Sequence, residues 1–203
     1  MEAKKWLQSS FLLALVALGL AACTKPPCEK ELTTPFVVQE LPLQKPEKPV
    51  PVLNRRAYDL CLLKKNGVQV IQLGQTWTFA FSNDALFDND TPELLNNTKP
   101  LLDVLADFMQ TYSTIAVKVT GFSNKPVVEE KNKFGRLIDE LTEQQAAAVA
   151  EYLVSRHINA RLVYAVGRGD HNEIAWSGSH LGRQWNRRTE ITFRYYRDNK
   201  AWY

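Results

Sequence analysis

The side chains able to do chemistry in this 203-residue chain gather in a few places, and their spacing decides what each could do. Cys23 closes the run Leu20-Ala21-Ala22-Cys23, directly after small residues at the end of an apolar stretch. The other two thiols, Cys28 and Cys61, leave two readings: a disulfide in an oxidising compartment, or a small buried thiol at Cys61 in its apolar surroundings. Asp170, His171, Ser177, Ser179 and His180 put acid, base and hydroxyl in one stretch, but no Gly-x-Ser-x-Gly elbow holds a nucleophile against a base. The histidines at 157, 171 and 180 have no close cysteine or paired carboxylate at metal-ligand spacing. Asn186-Arg187-Arg188 offers guanidinium forks that suit carboxylates, with Arg187 the best candidate and a solvated strand start the competing reading. The pattern implies binding rather than catalysis, with no catalytic residue, metal or cofactor.

What positions these groups begins with the amino terminus. Lys4-Lys5 followed by the apolar run from Phe11 to Leu20 reads as a signal peptide over residues 1–22, too short for the ~20 residues of a membrane span. Its end resembles the lipobox of signal peptidase II substrates, which implies that Cys23 becomes the lipidated first residue of the mature chain. An ordinary secretory signal is the alternative. Thr24, rather than Asp, after the cysteine implies the outer membrane. Residues 23–54 form a tether that holds seven of the ten prolines, so it can sustain neither helix nor interior strand and extends at about 3.1 Å per residue. It is a passive spacer, or docks on a partner through Phe36-Val37-Val38. A formal net charge of +3 is too small to argue for nucleic acid.

Residues 55–203 are long enough for one domain. The spacing predicts a short helix over Arg56–Lys65, a hairpin of Val68–Leu73 and Thr76–Phe81, and a helix capped by Thr98 with Leu101, Leu105, Phe108 and Tyr112 inward. A half-buried strand follows around Val117 and Val119. Thr142 and Gln145 fit a capping box that starts a second long helix ending near His157. Strands are predicted at Leu162–Gly167 and Arg188–Tyr195, with Arg168–Asn186 as a loop. Trp176 and Trp185 flank that loop and are expected beneath it rather than stacked on a sugar or peptide. The fold class is an α/β (α+β) two-layer sandwich, a mixed sheet with helices on one face.

Phe81-Ser82-Asn83-Asp84, Gly121-Phe122-Ser123-Asn124, Leu141-Thr142-Glu143-Gln144-Gln145-Ala146, Gly167-Arg168-Gly169-Asp170 and Asn186-Arg187-Arg188-Thr189-Glu190-Ile191, in this order, resemble the OmpA-like carboxy-terminal domain over about Gly67 to Tyr196. The resemblance implies a periplasm-facing domain that holds the peptidoglycan peptide stem and ties outer membrane to wall. In that family an aspartate and an arginine grip diaminopimelate; here Asn124 and Gln145 stand in their places, both charges gone. A hydrogen bond to a charged group contributes ~1.5–3 kcal/mol against ~1 for a neutral one, so the stem contact is expected to be weakened or lost. Turn formation gives Asn124, and the capping box gives Gln145, a purely structural explanation. The segment Lys125–Glu140 is expected to be a charged mobile loop beside the groove.

A narrower likeness rests on Gly67-Val68-Gln69-Val70-Ile71-Gln72-Leu73-Gly74-Gln75-Thr76 joined to the lipobox, the proline tether and the degenerate ligand pair. It is similar to the lipoproteins of the Dot/Icm type IVB secretion apparatus, which implies secretion-complex proteins of the outer-membrane core as partners.

Overall fold

The computed structural model describes residues 52–88, 91–124 and 131–196; of 52–54 and 131–136 only the backbone is described. The signal segment, Cys23, Cys28 and the tether up to residue 51 lie outside the described residues. The elements are α1 (Val52–Lys65), β1 (Gln69–Leu73), β2 (Thr76–Ser82), a one-turn α2 (Asn83–Leu86), α3 (Lys99–Gln110), β3 (Thr114–Phe122), α4 (Lys131–Ser155), β4 (Val163–Gly167), α5 (His180–Asn186) and β5 (Arg188–Tyr195).

The strands form one open mixed sheet in the order β1-β2-β5-β3-β4. β1/β2, β2/β5 and β3/β5 pair antiparallel, while β3 and β4 run parallel. A parallel pair needs a long crossover, and α4 supplies it. Gly74, at φ +58°, turns the β1/β2 hairpin where the sequence places Gly74-Gln75. Alternation then sets the faces. Trp77, Phe79, Phe81, Val117, Val119, Ile191 and Phe193 are buried on one side, where Phe108 of α3 meets Phe79 edge-on at 5.6 Å and Phe193 at 6.1 Å. Burial of each such side chain contributes about 1.5–3 kcal/mol. The opposite side carries Thr78, Thr192 and Lys118 in one row, with exposed Ile71 and Tyr164 at its two ends.

The two-layer sandwich of the sequence reading is therefore the observed fold, with three corrections. First, α4 starts at Lys131, not Thr142, so the predicted loop is helical from 131 to 140, and residues 125–130 lie outside the described residues. Thr142 caps nothing: fully buried within the helix, its hydroxyl donates back to the Asp139 carbonyl at 2.9 Å and accepts the Gly169 N–H at 3.0 Å. Second, the expected loop Arg168–Asn186 contains α5, whose amino end is capped by Ser179 Oγ accepting the Gly182 N–H. Third, Thr98 precedes α3 as expected but caps it through its carbonyl, which accepts from the amides of Leu101 and Leu102, while its hydroxyl donates to Leu95 O at 2.8 Å.

Both longer helix ends close by the same device. Val68 N–H reaches Leu63 O and Gly67 N–H reaches Lys64 O after α1; Ile158 and His157 repeat the pattern on Leu153 and Val154 after α4. The reversal residue takes positive φ in each case, at Gly67 and at His157.

α1 docks on α3 through charged groups. Arg55 pairs with Asp107 at 2.5 Å, and Arg56 donates to the Thr111 carbonyl and lies 3.8 Å over the Tyr112 ring. Between them Asp59 is buried, and its Oδ2, 3.8 Å from Arg55 Nε, has no hydrogen-bond partner. Desolvation pushes its carboxyl up to about 6, Arg55 opposing and Asp107 adding to the shift. The unfolded carboxyl titrates near 3.8, so the folded state binds more protons between roughly pH 4 and 6 and loses stability as pH rises through that window. Asp59→Asn is expected to raise stability at pH 7.5 by about 2 kcal/mol and by nothing near pH 3.5, read from chemical denaturation at both values. An equal gain at both would remove the carboxylate as its source. Cys61, also on α1, is half-buried and disulfide-bonded, which excludes the free-thiol alternative; the other expected member, Cys28, lies outside the described residues.

Candidate functional site

The site is built where β3 and β4 end against α4. Gly121 and Gly167 are partners in the parallel register, and neither has room for a side chain. A Cβ at Gly121 would stand 2.2 Å from the Thr142 carbonyl oxygen, and one at Gly167 would stand 2.6 Å from the Asp139 oxygen and the Glu143 nitrogen. The helix backbone at 139–143 therefore rests directly on the sheet. Beyond the strands the two chains stay tied, with Arg168 N–H to Gly121 O at 2.9 Å and Ser123 N–H to Gly169 O at 2.6 Å. This clamp fixes the turn from which Asn124 emerges, half-buried.

One turn along α4 from Thr142, Gln145 is 3% exposed and engaged at both ends of its amide. Its Oε1 accepts from Asn83 Nδ2 at 3.2 Å, and its Nε2 donates to the Thr91 carbonyl at 3.0 Å. Asn83 is the hub. Its Nδ2 also donates to the Phe122 carbonyl at 3.0 Å, its Oδ1 accepts from the Thr189 hydroxyl at 2.7 Å, and its N–H donates to the Arg187 carbonyl at 3.0 Å. A single buried side chain thus joins the start of α2 to β3, α4 and β5.

Arg187 lies at the mouth of this network. Its Nε and Nη2 donate to the two oxygens of Asp84 at 2.9 and 2.7 Å, and its Nη1 reaches Asn124 Oδ1 at 3.4 Å. The neighbouring Asn186 and Arg188 have other work. Asn186, fully buried, accepts the N–H groups of Ile174 and Ala175 and donates to Ala175 O and Ser177 Oγ, which pins the connection ahead of α5. Arg188, also buried, stacks 3.9 Å over the Phe122 ring and pairs with Glu190 at 2.7 Å.

Of the three residues singled out from sequence, the structure brings Arg187 and Asn124 into contact and places Gln145 behind them, linked through Asn83. The capping-box explanation of Gln145 gives way to a buried amide network. Asn83 and Asp84 were missed as site residues. The polar pair directly after an apolar strand was a visible signal, but its meaning depends on the pairing of Ser82 with Arg188 across more than a hundred residues. Trp176 contradicts the expected burial: it is 78% exposed, its ring lying over Gly178, where a Cβ would stand 2.2 Å from the indole. Trp185 is half-buried. The assembled groups offer one guanidinium, one carboxylate and amides, an arrangement for holding a polar ligand.

The family model described as OmpA family matches residues 86–187, half of the chain. Outer membrane protein A of Bordetella avium is 32% identical over 111 residues, 55% of this chain and 54% of that protein. "Probable lipoprotein YiaD" of Escherichia coli K12 is 27% identical over 130 residues, 64% of this chain and 57% of that protein. The chain thus spans about half the length of these curated relatives. Among solved structures it is similar to the cell wall anchor of the T6SS from Pseudomonas aeruginosa, with TM-score 0.59 and 26% identity, covering 72% of this chain and 98% of that chain. The clamped strand ends, the Asn186-Arg187-Arg188 strand start and the matched span together place this chain in the OmpA family.

Proposed function

We propose that the protein is an outer-membrane lipoprotein, anchored through lipid on Cys23, whose OmpA-like domain faces the periplasm and makes a weakened contact with the peptidoglycan stem peptide through Arg187 and Asn124. The observation that carries this reading is the state of the groove. The arginine left in it is paired with Asp84, the residue beside it is an amide, and Gln145 is committed to the interior. Likeness to a T6SS cell wall anchor supports wall contact, and likeness to a lipoprotein supports the anchor. Within this reading, a structural place in a type IVB (Dot/Icm) outer-membrane core complex is proposed on Gly67–Thr76, which spans β1 and its turn, joined to the lipobox, the proline tether and the degenerate ligand pair. The relatives named above include no type IVB component. A generic tether between outer membrane and wall is the second reading, favoured by the T6SS anchor.

Sedimentation of the lipid-free chain from residue 24 onward with purified sacculi tests the wall contact. The wild type is expected to bind weakly and Arg187→Ala to bind about tenfold more weakly, the loss of one charged hydrogen-bonding group. Binding that Arg187→Ala leaves unchanged would remove the groove from the reading.

A further inference from the structure

Asp84 occupies the position an incoming carboxylate would take. Its two oxygens meet Nε and Nη2 of Arg187 side by side, the geometry in which a guanidinium grips an external carboxylate. The guanidinium side chain is 27% exposed and the carboxylate 45%. Exposed pairs of this kind hold weakly, so the partner can be exchanged. The surroundings permit that exchange. Asp84 follows Asn83, whose four hydrogen bonds hold the start of α2 to β3, α4 and β5 independently of the ion pair. Arg187 is held from behind, its N–H on Arg183 O and its carbonyl on Asn83 N–H. The two backbones are therefore fixed while the two side chains meet at the surface.

We propose that Asp84 is an internal competitor for Arg187: it fills the guanidinium fork and must yield it to a ligand carboxylate, so that it sets how tightly the groove takes carboxylate-bearing ligands. This rests on the reading of Arg187 as the ligand contact. The same geometry explains why aspartate at position 124 alone would not recreate an ionic grip. A carboxylate there would stand beside Arg187 Nη1, 3.4 Å from the present Asn124 oxygen, and join Asp84 in pairing with that arginine.

The test is a cycle on the lipid-free chain from residue 24 onward, with purified sacculi as the probe. Asp84→Asn keeps the shape of the side chain and removes its charge, and is expected to strengthen sacculus binding about two- to fivefold, the range of an exposed ion pair. Asp84→Ala is expected to move binding the same way. In an Arg187→Ala background neither change should have any effect. Unchanged or weaker binding by both Asp84 variants, with thermal melts showing them folded, overturns the proposal. So does an equal gain in the Arg187→Ala background, which would reveal general repulsion from an anionic wall. Failure of the underlying reading is separate: there Arg187→Ala alone leaves sedimentation unaltered.

Discussion

Gly121→Val is expected to leave the domain unfolded, or unfolded by a few molar urea less than the wild type, because the new side chain has nowhere to go. Its Cβ would lie 2.2 Å from the Thr142 carbonyl oxygen and 3.0 Å from the carbonyl carbon. These are backbone atoms of a 25-residue helix that cannot turn aside as a side chain would. Relief requires lifting α4 from β3, and with it the Thr142 to Gly169 hydrogen bond and the packing of Ala146 and Val149, both fully buried. Overpacking of this severity exceeds the usual 1–3 kcal/mol, and we expect about 5 kcal/mol, comparable with the whole stability of many domains. Gly74→Ala is the control. It too alters a glycine, at φ +58°, but a Cβ there meets nothing within 4 Å, so it should cost only the left-handed backbone, about 1 kcal/mol. Urea midpoints read both, and a Gly121→Val loss no greater than that of Gly74→Ala would show that helix and sheet are not in direct contact.

Asn83→Ala is expected to cost about 3–4 kcal/mol, far more than its small volume suggests. The substitution removes the partners of the Phe122 carbonyl, Gln145 Oε1 and the Thr189 hydroxyl at once, in a place where Gln145 and Thr189 are 3% and 0% exposed. An unpaired buried polar group costs about 1–3 kcal/mol, so the damage lies in what is orphaned rather than in what is deleted. Because Asn83 also fixes the start of α2, Asp84 and Arg187 lose their alignment, and sacculus binding should change in the folded fraction as well. Denaturation and sedimentation at low temperature check both parts; a loss below 1 kcal/mol would mean that water replaces the amide.

The parts of this fold legible in the sequence are those carried by short-range periodicity. Trp77, Phe79 and Phe81 alternate over a two-residue turn, and Ile191, Phe193 and Tyr195 share a side, so the hairpin and the last strand lie where the pattern puts them. The start of α4 was not legible, for a definite reason. Thr142-x-x-Gln145 reads as a cap when seen locally, and only the Gly169 N–H, 27 residues away, makes the same hydroxyl comfortable inside a helix. α5 is seven residues long, too short for a helical period to declare itself. The site divides likewise. Arg187 stood out by its chemistry, but that Asp84 meets it depends on the β2/β5 register, which no local pattern contains.

The chain enters the described body at Val52, the first residue of α1, which lies outside the sheet. Arg55 on Asp107 and Arg56 on Thr111 and Tyr112 hold that helix against α3 through side-chain links. Strand β1, by contrast, is hydrogen-bonded along its length to β2. Because Cys61 in the middle of that helix is disulfide-bonded, α1 is secured by a covalent link as well as by its arginines, where β1 is secured by backbone hydrogen bonds.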